Sequence, residues 1–383
     1  MPDPEAVIVA ALRTPIGTAG KGTLRDTNAF YLADHVIAAV AARVDAGRID
    51  DVILGEGRYG GGVVARHAAI TAGLTTIPGL AHNRHCAAGM SAVQTAAAGI
   101  RAGMDELVLA GGVNSDSTAP KARFRVDADE WIDPWVSPSH PDRPDAPNLD
   151  MSITVGWNAA VKYGLTREEM DAWALRSHRN AIAAIDDGRF VEEIVPVETP
   201  HGTFAVDEHP RRSTSMEKLA ALKPLHPEID GFGITAGNAS GANDGAAVLA
   251  LASGRLGLPA LATVRAWASV GVDPADTGLA PIGAIRKTLH RSGLSVADID
   301  LFEINEAFAA VPLATIKELD IDPERVNVNG SGCSLGHPVA ASGARMIVTM
   351  VHELRRRGGG FGMLAMCAGG GMGSATLIEV PAP

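Results

Sequence analysis

The chain has 383 residues, 46% of them hydrophobic, 20% charged and only 4% aromatic, with 43 glycines and a formal net charge of −11. That length exceeds one ordinary hydrophobic core and points to two or three domains. The acidic balance excludes a general nucleic-acid or membrane-surface role, because no broad basic field exists to neutralise phosphates; a local basic patch could still hold an anionic small ligand.

Residues 5–12 read as a buried strand, an apolar run ended by Arg13-Thr14-Pro15. Residues 29–44 have helical spacing, with Leu32, Val36, Ile37 and Val40 on one face. A short strand over 51–54 runs into GEG and then the glycines at 60–62, and a helix is expected over 66–72. After a strand around Ala81 comes Cys86, then a small-residue helix over 91–102 and a strand over 106–110 that ends at Gly111-Gly112. From Ser115 to Asp150 periodicity disappears and a long loop is expected. Thr166 with Glu169 forms a capping box that opens a helix to about Ile185. A buried strand is expected over 246–252.

The order then repeats: a helix over 285–291, a strand over 299–303, a helix over 307–318, a helix over 342–357, and a strand over 362–366 that ends at Cys367 and a glycine run. ELVLAGG at 106–112 parallels MLAMCAGG at 363–370, which suggests two similar halves, each with a mostly parallel covered sheet. The segment MPDPEAVIVAALRTP lacks the basic region and cleavage site of a signal peptide, and no apolar run is long enough to span a membrane. A cytoplasmic protein is therefore expected.

The three cysteines include no CxxC pair, so neither a disulfide framework nor a metal site is expected. Thiols used this sparingly, two of them beside Gly-rich turns, point to chemistry. Cys86 precedes a helix, whose positive end would lower the thiol pKa from roughly 8.5 toward 7 and raise the thiolate fraction. Cys367 runs into AGGGMG, whose backbone N–H groups could hold an oxyanion, and a second thiol could act as base toward a carbon acid. His337, between Gly336 and Pro338 near a helix start, suits a neutral imidazole that accepts a thiol proton. Asn305 offers an amide to a water or a carbonyl. Glu306 reads as an orienting carboxylate and Cys333 as a small buried residue.

These residues sit in segments that resemble the thiolase family, the acetyl-CoA acetyltransferases and 3-ketoacyl-CoA thiolases. The segments are ALRTPIG, DEHPRRSTSMEKLAALKP, TAGNASGANDGAA, GVDPADTGLAPIGAIRKTL, DLFEINEAFAA, VNVNGSGCSLGHPVAASGAR and CAGGGMG, and they run nearly end to end. The resemblance implies an α/β thiolase fold: two similar halves in a layered αβαβα arrangement. The N-terminal half would be 1–115 plus 227–252, the loop domain 116–226 lying over the site, and the C-terminal half 253–383. It implies reversible condensation of acyl-CoA with acetyl-CoA, or CoA-dependent cleavage of 3-ketoacyl-CoA. Coenzyme A would be substrate and product, with no permanently bound cofactor and no nucleic-acid or membrane partner.

By the same resemblance Cys86 is the acylated nucleophile, His337 activates it and Cys367 is the acid/base. Asn305 holds a water for one oxyanion hole, which His337 completes, and the N–H groups of Cys86 and Gly369 form the other. Ala236 and Ser240 contact the pantetheine arm, Ala307 and Phe308 line the acyl tunnel, and Arg211 or Arg212 meets the CoA phosphates. A homodimer or homotetramer is implied. The chain departs from the family at Ala88, where a hydroxyl is usual, and at MSITVGWN over 151–158, where Met151 takes the place of a histidine that some members carry. It departs again at GSGCSLGHP over 330–338, and the first two departures bear on the shape of the acyl pocket. A ketosynthase-like condensing enzyme and a non-catalytic CoA or lipid binder are the alternative readings.

Overall fold

The computed structural model describes residues 5–59 and 63–382, so the glycines at 60–62 lie outside the described residues. The first half comprises β1 (Ala6–Arg13), β2 (Gly17–Thr18), α1 (Ala29–Ala41), β3 (Asp51–Glu56), α2 (Val64–Thr71), β4 (Gly79–His82), α3 (Ala88–Ala102) and β5 (Leu107–Asn114). An excursion follows with β6 (Ala122–Arg125), β7 (Trp131–Trp135), a π-helical turn (Ser152–Trp157), α4 (Asn158–Tyr163), α5 (Arg167–Asp186), β8 (Val197–Thr199), β9 (Gly202–Phe204) and α6 (Met216–Ala220). The chain then returns through β10 (Asn243–Ser253) to β11 (Ala262–Gly271), α7 (Ala280–Ser292), β12 (Leu301–Ile304), α8 (Ala310–Leu319), α9 (Ser342–Arg357), β13 (Gly360–Ala368) and β14 (Met372–Val380).

Among the described residues the main sheet runs β12-β13-β14-β11-β1-β10-β5-β3-β4. Its two ends mirror each other. From β1 outward the neighbours β10 and β5 are antiparallel and β3 and β4 parallel. From β11 outward β14 and β13 are antiparallel and β12 is parallel, and a parallel bridge from Phe302 to Val326 stands where the outermost strand would be. Among the described residues the strands of the two halves pair only at Val7–Thr263 and Ile8–Ala262. The expected mostly parallel sheets are thus corrected to mixed ones. Strand β11 alternates buried and more exposed residues with a period of two over its first seven positions.

Helices α3 and α9 form the middle layer, and α3 has ten of its fifteen residues buried. The first thirteen residues of α9 are all buried. A helix apolar or small all round is the type that packs on every side. The two cross where each lacks a side chain: a Cβ on Gly343 would sit 2.7 Å from Met90 N, and one on Gly89 would sit 2.6 Å from Ala340 O. Charged residues on α9 are tolerated because each is bonded. Arg345 pairs with Glu303, His352 donates to Ala11 O and Glu353 accepts from Asn329 and Arg357.

Two further expectations change. Strand β5 does not stop at Gly111-Gly112 but continues to Asn114, unlike β13, which ends at Ala368 before its glycines turn. Gly112 is a packing residue, since a Cβ there would meet Ala340 O at 2.1 Å. The stretch 115–150 is not all loop, because β6 and β7 pair as an antiparallel hairpin. The capping box is present: Glu169 N–H donates to Thr166 Oγ1 at 3.1 Å, and Thr166 N–H donates to Glu169 Oε2 at 2.7 Å.

Candidate active site

The first half delivers Cys86 on the turn between β4 and α3, and the second delivers His337 five residues before α9. Both therefore stand at the same topological station of the repeat. The floor between them is fixed by α3 meeting the 340–344 turn at Gly89. Cys367 comes from the end of β13, and the N–H of Gly369 in the following turn donates to the Cys86 thiol. The two thiols are close enough that the charge of one opposes ionisation of the other.

Burial pushes the Cys86 thiol up to about 11, against the pull of the Gly369 N–H and its own backbone N–H. This corrects the expectation of a helix-lowered pKa. The first N–H groups of the α3 turn are already spent, Ala87 N on Arg84 O and Ala88 N on His85 O, both at 3.0 Å. Cys367 is more deeply buried, and burial followed by the neighbouring Cys86 raises its thiol strongly. Both thiols are neutral near pH 7, so a base must take the proton as either reacts.

His337 fits that need. Its N–H donates to Asn243 Oδ1 at 2.9 Å, and its Nδ1 lies 2.6 Å from Ser342 Oγ, which is 3.0 Å from Pro338 O. The hydroxyl has one proton and the carbonyl can only accept it, so Oγ accepts from Nδ1–H. Nε2 then carries the lone pair, and it is buried without a hydrogen-bond partner among the described residues. Burial and then the Arg345 charge hold the imidazole down at about 4. The sequence expectation of a neutral imidazole holds, but the cause is burial rather than the helix end.

Asn305 shares this condition: both Nδ2 and Oδ1 are buried and unpartnered. Its backbone is pinned by N–H donation to Ala365 O at 2.9 Å. Glu306 beside it is wholly structural. It accepts from Trp173 Nε1 (2.9 Å), Asn327 Nδ2 (2.8 Å), Ser177 Oγ (2.6 Å) and Cys333 N (3.1 Å). It thereby ties α5 to the turn that leads to His337, and burial raises its pKa. Cys333 is buried in that turn with its thiol toward Glu306 O at 3.7 Å.

Ser240, Ala307 and Phe308 gather on one wall, and Ala236, four residues before Ser240, is exposed. Ser240 N–H donates to Ala307 O at 2.9 Å, and Ala239 bridges to Phe308. Met151 lies half-buried at the entry of the π-helical turn, a form common at functional sites. A Cβ on Gly156 in that turn would meet the Phe308 ring at 2.9 Å. Arg212 is drawn away to Asp186 at 2.8 Å, whereas exposed Arg211 lies near His178 and His209, which burial first and the Arg211 charge after it lower to about 4. Arg13 joins two signature segments, being held by both Asp207 oxygens at 2.8 Å and by Glu193 at 2.6 Å. Sequence reasoning missed Ser342 as the tautomer-setting partner; a serine five residues after the histidine, at a helix start, was the available signal. Among the described residues no group of His, Cys, Asp and Glu could hold a metal ion, and no helix is long and apolar enough to cross a membrane.

The family model for the thiolase N-terminal domain matches residues 6–255, and that for the C-terminal domain matches 258–380. The chain belongs to the thiolase family. The acetyl-CoA acetyltransferase of Pseudomonas aeruginosa is 43% identical, covering 98% of this chain and 99% of its own. The crystal structure of the Bacillus anthracis acetyl-CoA acetyltransferase superposes with a TM-score of 0.88 at 41% identity, covering 98% of this chain and 99% of that one. Human mitochondrial 3-ketoacyl-CoA thiolase gives a TM-score of 0.91 at 36% identity over 100% of each chain. This thiolase is an acyltransferase, and the layered α/β architecture is the family's fold. The binder and ketosynthase readings are not favoured.

Proposed function

We propose that this thiolase makes and breaks the Cα–Cβ bond of 3-ketoacyl-CoA through an acyl-enzyme on Cys86. The reading is carried by one observation: a thiol from each half of the fold comes close enough that the charge of Cys86 opposes ionisation of Cys367, and the Gly369 N–H supports the Cys86 sulfur. In condensation, Cys86 Sγ attacks the thioester carbonyl and its proton passes to His337 Nε2. The C–S bond to CoA breaks and CoA leaves with that proton. Cys367 then gives its thiol proton to His337 Nε2 and, as the thiolate, removes an α-proton from acetyl-CoA. The enolate carbon attacks the acyl-enzyme, and Cys86 Sγ departs and takes the proton back from His337. In cleavage the steps reverse, and Cys367 Sγ–H protonates the released enolate. While it holds the thiol proton, His337 Nε2–H suits a developing enolate oxygen together with Asn305 Nδ2, both atoms being unpartnered among the described residues, and the N–H groups of Cys86 and Gly369 suit the tetrahedral oxyanion.

Ala236 and Ser240 would meet the pantetheine arm, Ala307, Phe308 and Met151 the acyl chain, and Arg211 the CoA phosphates. Arg212, already paired to Asp186, is the weaker candidate. Cytoplasmic residence and a homodimer or homotetramer complete the proposal; an apolar hairpin with Phe124, Trp131 and Ile132 at 45–49% exposure supports assembly. Incubation with acetyl-CoA should add one acetyl group to Cys86, seen by peptide mass mapping, and acetoacetyl-CoA should be cleaved on addition of CoA. An unmodified Cys86 with turnover intact would overturn the assignment.

A further inference from the structure

The wall beside Gly369 is polar, and nothing in the bond-making steps above uses it. His85 precedes the nucleophile at φ +47°, a left-handed conformation in which histidine is tolerated better than most side chains. The conformation is held at both ends: His85 N–H donates to Asn83 Oδ1 at 2.9 Å, and its carbonyl accepts from Ala88 N–H at 3.0 Å. The ring thereby comes to lie against Gly369. A Cβ built on that glycine would stand 3.8 Å from His85 Cγ, 3.4 Å from Ser139 Cβ and 3.6 Å from Ser139 Oγ.

Ser139 arrives from the distant excursion with its own support. Its Oγ is 2.8 Å from His140 Nδ1, and His140 Nε2 is 2.8 Å from Ala146 O. That carbonyl only accepts, so Nε2 carries the proton and Nδ1 accepts from the Ser139 hydroxyl. The Ser139 oxygen keeps its lone pairs for another donor. No hydrogen bond from another described residue reaches the His85 ring, which can give or take one. An apolar acyl chain laid against these groups would strip their water and return nothing.

We propose that the acyl group carried on Cys86 is a short chain bearing an oxygen function, a carboxylate or a hydroxyl, which His85 and Ser139 recognise. The proposal rests on the reading of Cys86 as the acyl carrier. Hydroxyl and carboxylate share the same recognition chemistry at His85, whose ring donates to either; a hydroxyl can in addition donate to Ser139 Oγ.

The test is thiolysis of three 3-ketoacyl-CoA thioesters of equal chain length ending in methyl, hydroxymethyl or carboxylate. At least one oxygenated substrate should exceed the methyl one in kcat/KM by about tenfold or more. His85→Leu should cut that ratio at least tenfold, and Ser139→Ala should cut it by less. Equal or methyl-preferring wild-type kinetics, or a ratio that His85→Leu leaves unchanged, would overturn the proposal. Mapping the acyl adduct separates the two levels. If Cys86 carries no adduct from any of the three, the acyl-carrier assignment fails; if it carries all three with no preference, only the pocket assignment fails.

Discussion

The two halves place different chemistry at the same station. In the first half the turn between β4 and α3 carries a thiol that is half-buried and bonded by a backbone N–H from the other half. In the second, the turn before α9 carries an imidazole that is 5% exposed and locked by a serine on the helix itself. The duplicated frame supplies symmetry, and the difference between the groups suits the proposed roles, in which a nucleophile must reach substrate while its base must stay dry and unprotonated. Burial lowers the imidazole and raises the thiol, so the resting pair is neutral on both sides. In the proposed mechanism, attack and proton transfer then occur together.

The comparison breaks most sharply at the thiol. Cys86→Ala should lower CoA-dependent cleavage of acetoacetyl-CoA by at least about 10⁴-fold in kcat, since residues acting as one unit fail together. Substantial residual turnover would show that the first half carries no nucleophile. On the other side of the pair, His337→Gln should cost roughly 10²- to 10⁴-fold. Ser342→Ala should cost less, because it frees the tautomer without removing the ring, and equal losses would refute that assignment. Cys367→Ala should still take an acetyl group on Cys86 yet fail to exchange the α-protons of acetyl-CoA with deuterium. Normal exchange by NMR would remove Cys367 as the base.

Stability sharpens the comparison further. Glu306→Ala leaves buried donors from Trp173, Asn327, Ser177 and the Cys333 N–H unmatched, each worth roughly 1–3 kcal/mol. Urea unfolding should therefore show a loss of at least about 3 kcal/mol; a loss below about 0.5 kcal/mol would mean the network relaxes. The smallest effect concerns pH. With the folded-state pKa of Cys86 raised to about 11, thiolate grows as pH rises. Iodoacetamide labelling should climb by about tenfold per unit from pH 7 to 10, and a plateau near neutral pH would reveal a thiolate–imidazolium pair instead.

Much of the site was legible along the chain. Cys86, Asn305, His337 and Cys367 each stand in a short segment whose small neighbours and turn residues announce close backbone approach. The Thr166 capping box and helix α9 could be placed nearly to the residue, because their signals are local. The thiol's pKa was read wrongly from the same local logic. A helix start lowers a thiol only if its N–H groups are free and water is near; here those groups are bonded and the thiol is packed under the opposite half.

The sequence by itself determined which residue types and which turns the chemistry uses, because helix caps, glycine turns and apolar periods depend on near neighbours. Only the tertiary structure decided the antiparallel centre of the sheet and the tautomer of His337. It alone set the four bonds on Glu306 and the meeting of His85 with Ser139 at Gly369. Each of these joins segments far apart in the chain, and nothing in either segment encodes the distance to the other.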